Sequence, residues 1–254
     1  MQRGRVRHLP QLLYPEKRMH NVSKLVHALT SLSTPDNRMR TERYYKTDPG
    51  EYASHDIFLG VPNVKVREIS QAYSDLKFEP LSQLFESKYH EVRLATIFIL
   101  VNQYQRTKDN QTRETLYQFY LQHLDCVNNW DLVDLSADKI IGSYLLDKPN
   151  KRKILYRLAK SKNLWHRRVS IIATWAFIRK QHFSDTLLLC ELLLADQEDL
   201  IHKACGWMLR EVGKRDQALL EAFLKQHIRK IPRTTLRYAI EKFNESKRHF
   251  FLSL

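Results

Sequence analysis

The chain has 254 residues, with 42 Lys plus Arg against 28 Asp plus Glu and a net charge of +14. That length can bury a sizeable core, and the charge points to a polyanionic partner, nucleic acid before anionic membrane. Only six glycines are present, and none are spaced for a Gly-x-Gly-x-x-Gly turn or a P-loop, so a nucleotide-binding doubly wound fold and a turn-rich β-sandwich are both disfavoured.

The opening Met1-Gln-Arg-Gly-Arg-Val-Arg-His8 is basic, with no apolar signal-peptide core behind it. His20 to Leu32 reads as an amphipathic helix ended by Ser33-Thr-Pro35. Arg38, Arg40 and Arg43 then lead into Tyr44-Tyr-Lys-Thr-Asp-Pro-Gly-Glu-Tyr52, a turn-rich aromatic loop suited either to a nucleic-acid backbone or to a plain connection. Residues 61–67 alternate too briefly to predict a strand. From about residue 64 onward helical periodicity is nearly unbroken: Val92, Ala95, Ile99 and Gln103, then Leu164, Arg168, Ile171 and Trp175, then Ile201, Ala204, Met208 and Val212. Helix-start chemistry punctuates it at Ser184-Asp185, at Asp196 to Asp199 and at Pro232. The expectation is an all-α chain of roughly a dozen helices with short antiparallel connections.

The longest apolar run, Thr186 to Ala195, is interrupted by Glu191 and is too short to span a bilayer. With no signal peptide, the expected setting is cytoplasmic and nucleoid-associated, away from membrane. Cys126, Cys190 and Cys205 form no Cys-x-x-Cys pair, and the 11 histidines contain no His-Glu-x-x-His. Reduced core thiols are expected, with no metal and no cofactor.

A faint repeat underlies the helices. Units begin at Arg93, Trp130, Arg168 and Lys203, spaced 35 to 38 residues apart, slightly short of the two-helix HEAT or armadillo period. The reading is one α-helical repeat domain over 1–254, with a less regular segment at 1–60 and HEAT-like repeats over 61–245. Such a solenoid lines up Arg93, Trp130, Arg168 and Lys203 along one basic concave groove. From Lys148 to Ser184 no acidic residue occurs, while eleven Lys and Arg do, Arg152 and Arg167 among them. A merely solvated face is the alternative for that block.

The most specific stretch is Asn129-Trp-Asp-Leu-Val-Asp-Leu135. It sets Trp130 and Asp134 about one helical turn apart, an aromatic plane beside a carboxylate, able to hold a small cationic or electron-poor group. Asp134 has the alternative of a helix-end charge or a partner for Lys139, and Trp207 that of a core residue. Trp165 and Trp175 are assigned to core packing, and His166 and Arg167 to lining the groove.

Together with Tyr44-Tyr-Lys-Thr-Asp-Pro-Gly-Glu-Tyr52, Phe58-Leu-Gly-Val-Pro62, Leu164-Trp-His-Arg-Arg-Val-Ser170 and Lys203-Ala-Cys-Gly-Trp-Met-Leu-Arg-Glu211, this stretch resembles the DNA alkylation repair family, the AlkD-like DNA glycosylases built from HEAT-like repeats. The resemblance runs over about residues 45–245. It implies hydrolysis of the N-glycosidic bond of cationic purines such as 3-methyladenine or 7-methylguanine in duplex DNA, without flipping the base into a pocket. Trp130, Asp134 and Trp207 would surround the lesion's deoxyribose and Arg168 would contact phosphate, with Arg93, Arg152, Arg167, Lys203 and Arg210 as further DNA-binding residues. A purine alkylated on N3 or N7 leaves neutral, so one carboxylate suffices where ordinary glycoside hydrolysis uses two. No obligate protein partner is expected, and a monomer is sufficient. The rival readings are a non-catalytic relative that binds branched or distorted DNA, and a protein-interaction scaffold whose basic face docks an acidic partner.

Overall fold

The computed structural model describes residues 15–254, with side chains from Asn21 onward, so the basic Met1–His8 opening lies outside the described residues. The described residues are mostly helical, with one long loop at 46–62. Among the described residues no strand forms, only an isolated bridge between Ile57 and Tyr89.

The first helix, α1 (Pro15–Thr30), buries Leu25 and Leu29. The second, α2 (Pro35–Tyr45), starts where the first stops. The Thr34 side chain accepts from the Asn37 amide at 3.3 Å, and Pro35 occupies the first turn, where its missing N–H costs nothing. Tyr44 and Tyr45, placed in a loop by the sequence, are therefore the last turn of α2, and Lys46 ends the helix with φ 58°. The brief alternation at 61–67 becomes the end of a loop and the start of α3 (Asn63–Gln71).

Beyond α4 (Phe78–Phe85) runs α5 (His90–Arg106), whose side chains are buried without interruption from His90 to Val101. A helix buried all round has no polar face for its charges, so His90, Glu91 and Arg93 must each find a partner inside. The remaining helices are α6 (Asn110–Gln122), α7 (Trp130–Ser136), the short α8 (Ser143–Leu145) and α9 (Lys153–Ala159). They continue as α10 (Leu164–Ile172), α11 (Trp175–Ile178), α12 (Ser184–Leu193) and α13 (Asp199–Gly213). The chain closes with α14 (Gln217–His227), α15 (Arg233–Ala239) and α16 (Glu245–Ser253). A single π turn, Asp138–Gly142, joins α7 to α8.

Two rows result. In one, α5, α7, α10, α13 and α15 each touch the next. In the other, α9 packs on both α10 and α12, α12 on α13, and α14 on α13. This is the stacking of helix pairs expected from the 35-to-38-residue spacing. Arg93, Trp130, Arg168 and Lys203 all fall within the first two turns of successive helices of the first row. The crossing of α13 on α15 depends on Gly206: a Cβ there would lie 2.4 Å from Tyr238 Cβ and 2.7 Å from the Thr235 carbonyl oxygen. Cys190 and Cys205 are buried free thiols and Cys126 is partly buried. No described helix is long and apolar enough to cross a membrane.

Candidate functional site

Asn129 sets the start of α7. Its Oδ1 accepts from the Trp130 amide at 2.8 Å, while its Nδ2 donates to Asp56 Oδ2 at 2.8 Å, tying the helix N-terminus to the preceding loop. From that start, Trp130 and Asp134 emerge one turn apart, both partly exposed.

Asp134 does not pair with Lys139, which donates to the Leu135 carbonyl instead. It is gripped bidentately by Arg168 of α10, Nε to Oδ1 at 2.9 Å and Nη2 to Oδ2 at 2.8 Å. Arg168 Nη1 donates to the Leu200 carbonyl of α13 at 2.5 Å. One guanidinium thus joins three successive helices. The Asp134 side chain keeps 18% exposure and Arg168 6%, so the pair sits at the edge of the core with both carboxylate oxygens held by the guanidinium. Burial raises the Asp134 pKa above the usual carboxylate value, and the Arg168 charge and hydrogen bonds offset that only in part.

The Trp130 indole is held by a ring stack. Tyr45 lies parallel to it at 5.3 Å and 17°, Phe58 lies against the far face of Tyr45 at 4.6 Å, and Tyr44 meets Trp130 edge-on at 6.1 Å. Burial raises the Tyr52 phenol pKa, with the Trp130 side chain acting the other way, and the Tyr52 ring meets Trp165 at 6.1 Å. Trp207 joins through a different neighbour, with Trp175 edge-on at 5.1 Å. Among the described residues no ring contact or hydrogen bond links Trp207 to Trp130. Trp207 lies two turns beyond Leu200 on α13, and α10 stands between that helix and α7 in the row.

Beneath the stack runs a buried polar chain absent from the sequence reading. Tyr45 donates to Asp131 Oδ2 at 2.9 Å, His90 Nε2 meets the same oxygen at 2.9 Å, and His90 Nδ1 lies 3.4 Å from Asp56. Asp56 is also bonded to Arg93 and Asn129. Burial alone would lower the His90 pKa, but Asp131 and then Asp56 outweigh it and raise it to about 9. Asp56 shows the converse: burial opposes its ionisation, yet the His90 hydrogen bond and the Arg93 charge bring its pKa down to about 2. Burial, reinforced by Asp131, pushes the Tyr45 phenol far above its ordinary value. Two carboxylates and two basic groups therefore alternate along a buried chain under Trp130. Beside it Glu91 accepts the amides of Leu59 and Gly60, both at 2.8 Å, and of Val61 at 3.3 Å, fixing the Phe58–Pro62 stretch. Gly60 sits there at φ 77°, and a Cβ on it would meet the Arg38 amide nitrogen at 2.5 Å.

The structure gives every predicted basic residue an internal carboxylate. Arg93 pairs with Asp56, Arg152 with Asp185 at 2.8 Å, Arg167 with Asp196 at 2.6 Å, Lys203 with Asp199 at 2.8 Å and Arg210 with Glu241. With Arg168 on Asp134, all six are spoken for. Arg93 and Arg168 are buried and act as internal ties, whereas Lys203, with 41% of its side chain exposed, stays solvent-facing. His166 pairs with Asp125 at 2.9 Å. Trp165 is buried, but Trp175, assigned to the core, is only partly so and forms the wall behind Trp207. Among the described residues no cluster of three or more His, Cys, Asp or Glu could hold a metal ion.

The family described as DNA alkylation repair enzyme matches the chain over residues 25–243. Two solved structures are similar in fold. One, described as a predicted DNA alkylation repair enzyme from Enterococcus faecalis, superposes with a TM-score of 0.65 at 18% identity, covering 84% of this chain and 97% of its own. The other, AlkD2 from Streptococcus mutans, gives a TM-score of 0.54 at 16% identity, covering 89% of this chain and 99% of its own. No curated protein matches the sequence.

Proposed function

From the premise that the chain belongs to the DNA alkylation repair enzyme family, we propose that it is a DNA glycosylase of base-excision repair. Its substrates on this reading are cationic N3- and N7-alkylated purines in duplex DNA, and it works as a monomer. The observation that carries the reading is the Trp130–Asp134 pair on one turn of α7, both partly exposed, with the carboxylate oriented by Arg168.

A purine alkylated on N3 or N7 carries a positive charge and departs neutral, so no general acid is required. The remaining tasks are to stabilise an oxocarbenium-like sugar and to hold a water on its open face. Asp134 supplies the negative charge. Because Arg168 fixes both of its oxygens, little reorganisation accompanies charge development, and such preorganised electrostatics are worth on the order of a hundred- to a thousandfold in rate. The Trp130 and Trp207 faces add roughly 0.5–2 kcal/mol each toward a cation without competing for protons. In this scheme Arg168 is a positioning residue that acts through Asp134.

Release of free base from methylated duplex DNA tests the assignment, wild type against Asp134→Asn at equal protein. Release by the wild type, reduced at least a hundredfold in the variant, supports it. Equal release by both removes Asp134 from the chemistry. Salt-sensitive DNA binding with no release from either would make the protein a non-catalytic DNA-binding member of the family.

A further inference from the structure

With all six anticipated cations paired internally, the groups free to neutralise DNA phosphates must lie elsewhere. Lys160, Lys162, Arg229 and Lys230 are exposed, and among the described residues none of their side chains makes a hydrogen bond or ion pair. Two sit in the turn between α9 and α10, and two in the turn between α14 and α15.

Contacts place these turns on one edge. Asp125, just before α7, reaches Asn163 at 3.4 Å and His166 at 2.9 Å, so the approach to α7 abuts the start of α10. Arg167 donates to the Ser161 and Lys162 carbonyls, both at 3.0 Å, and to Asp196 at 2.6 Å, clamping the α9–α10 turn to the α12–α13 turn. Leu194 and Ala195 of the latter then share a cleft of about 830 Å³ with Arg229 and Lys230. The same edge carries the N-terminal ends of α7, α10 and α13, whose first two turns hold Trp130, Arg168 and Lys203.

We propose that this turn edge is a phosphate-binding track for the duplex, with Lys160 and Lys162 at one point of contact and Arg229 and Lys230 at another. The inference rests on the reading of the chain as an enzyme of duplex DNA. The exposed carboxylates Glu191 and Glu198 flank the intervening turn, so the edge attracts phosphate at two places and repels it between them. With packed helices about 8–10 Å apart, two steps separate the basic turns by roughly 20 Å. That is about six nucleotides along a strand at ~3.4 Å each, a span that one small anion does not bridge and a polynucleotide does.

The test measures the salt dependence of binding to an unmodified duplex. Three double charge reversals are compared with wild type: K160E/K162E, R229E/K230E and, as a control of equal charge change on the exposed face of α9, K153E/R157E. Each phosphate contact contributes about 0.9 to the slope of log K against log salt. Each edge variant is therefore expected to flatten the slope by about 1.8, and the control to leave it near wild type. Unchanged slopes in both edge variants, or equal flattening in the control, would overturn the track. Wild-type protein without salt-dependent duplex binding would instead overturn the DNA reading itself, which separates the two failures. Circular dichroism of each variant checks that it is folded.

Discussion

Arg168→Met tests whether this arginine is a structural tie or a surface cation. In the folded chain its guanidinium makes two charge-assisted hydrogen bonds to Asp134, at 2.9 and 2.8 Å, and one to the Leu200 carbonyl at 2.5 Å. Methionine fills most of the volume and supplies none of them. Breaking a buried pair from one side costs about 3–5 kcal/mol because a charge is left uncompensated, and the orphaned Leu200 oxygen adds to this. We expect a loss near 4–5 kcal/mol in urea unfolding at pH 7.5. For a protein of this size about 2–4 °C accompanies each kcal/mol, so the midpoint should drop by roughly 8–20 °C. The loss should shrink at pH 5. Burial already raises the Asp134 pKa with Arg168 present. Without that cation the carboxyl rises further and escapes its penalty by taking a proton, so stability falls as pH climbs through its folded pKa. Adding Asp134→Asn removes the stranded charge, and the double variant should recover about 2–3 kcal/mol relative to additivity. The exposed Lys65–Glu68 pair, at 2.7 Å, is the reference, expected to be worth no more than about 1 kcal/mol. If Arg168→Met cost no more than Lys65→Met, the view of Arg168 as the tie between α7, α10 and α13 would be wrong.

Three further outcomes follow from the geometry. His90 is raised to about 9 and Asp56 lowered to about 2 in the folded state. The His90 contribution is then full below about pH 6.5 and fades as pH rises toward 9, while that of Asp56 is full above about pH 4 and fades as pH falls toward 2. Thermal midpoints against pH should show an alkaline decline that His90→Gln abolishes. Tyr45→Phe removes one buried hydrogen bond but leaves Asp131 with His90, and should cost about 1–3 kcal/mol with little change in near-ultraviolet circular dichroism from Trp130. Gly206→Ala forces a methyl to 2.4 Å from Tyr238 Cβ and should cost about 1–3 kcal/mol in denaturant unfolding, with a smaller loss in the Tyr238→Gly background.

The repeat architecture was legible in the sequence because it is written in spacing. Starts at 93, 130, 168 and 203 require only that equivalent residues recur, and they fall in the opening turns of successive stacked helices. Trp130 and Asp134 were legible for the same reason, being local to one turn of α7. What was not legible was long-range. Tyr45 and Asp131 are 86 positions apart and His90 and Asp131 are 41 apart, and no periodicity announces that they meet. One signal was present: α5 opens with His90, Glu91 and Arg93 inside an otherwise apolar run, and buried ionisable groups demand partners. The α2 boundary is hidden because Thr34-Pro35 reads in sequence as the stop of a preceding helix. The same two residues cap and open the next helix, so Tyr44 and Tyr45 belong to a turn that can lean on Trp130.

Net charge proved a poor guide to which cations face a ligand. Arg152 and Arg167 lie in a block with no acidic residue between Lys148 and Ser184, yet each pairs with a carboxylate from just beyond it, Asp185 and Asp196. Linear charge patterning cannot reveal this, because stacked helix pairs bring each repeat against the next about 30 positions on. The pairing also has a consequence for binding. A phosphate approaching a paired arginine must compete with a carboxylate already in place, and less of the gain from counterion release remains. An unpaired lysine in a turn carries no such cost. On the proposal above, the paired Arg93, Arg152 and Arg167 tie one part of the stack to the next and Arg168 aims Asp134, while the unpaired Lys160, Lys162, Arg229 and Lys230 of the turns meet the polyanion.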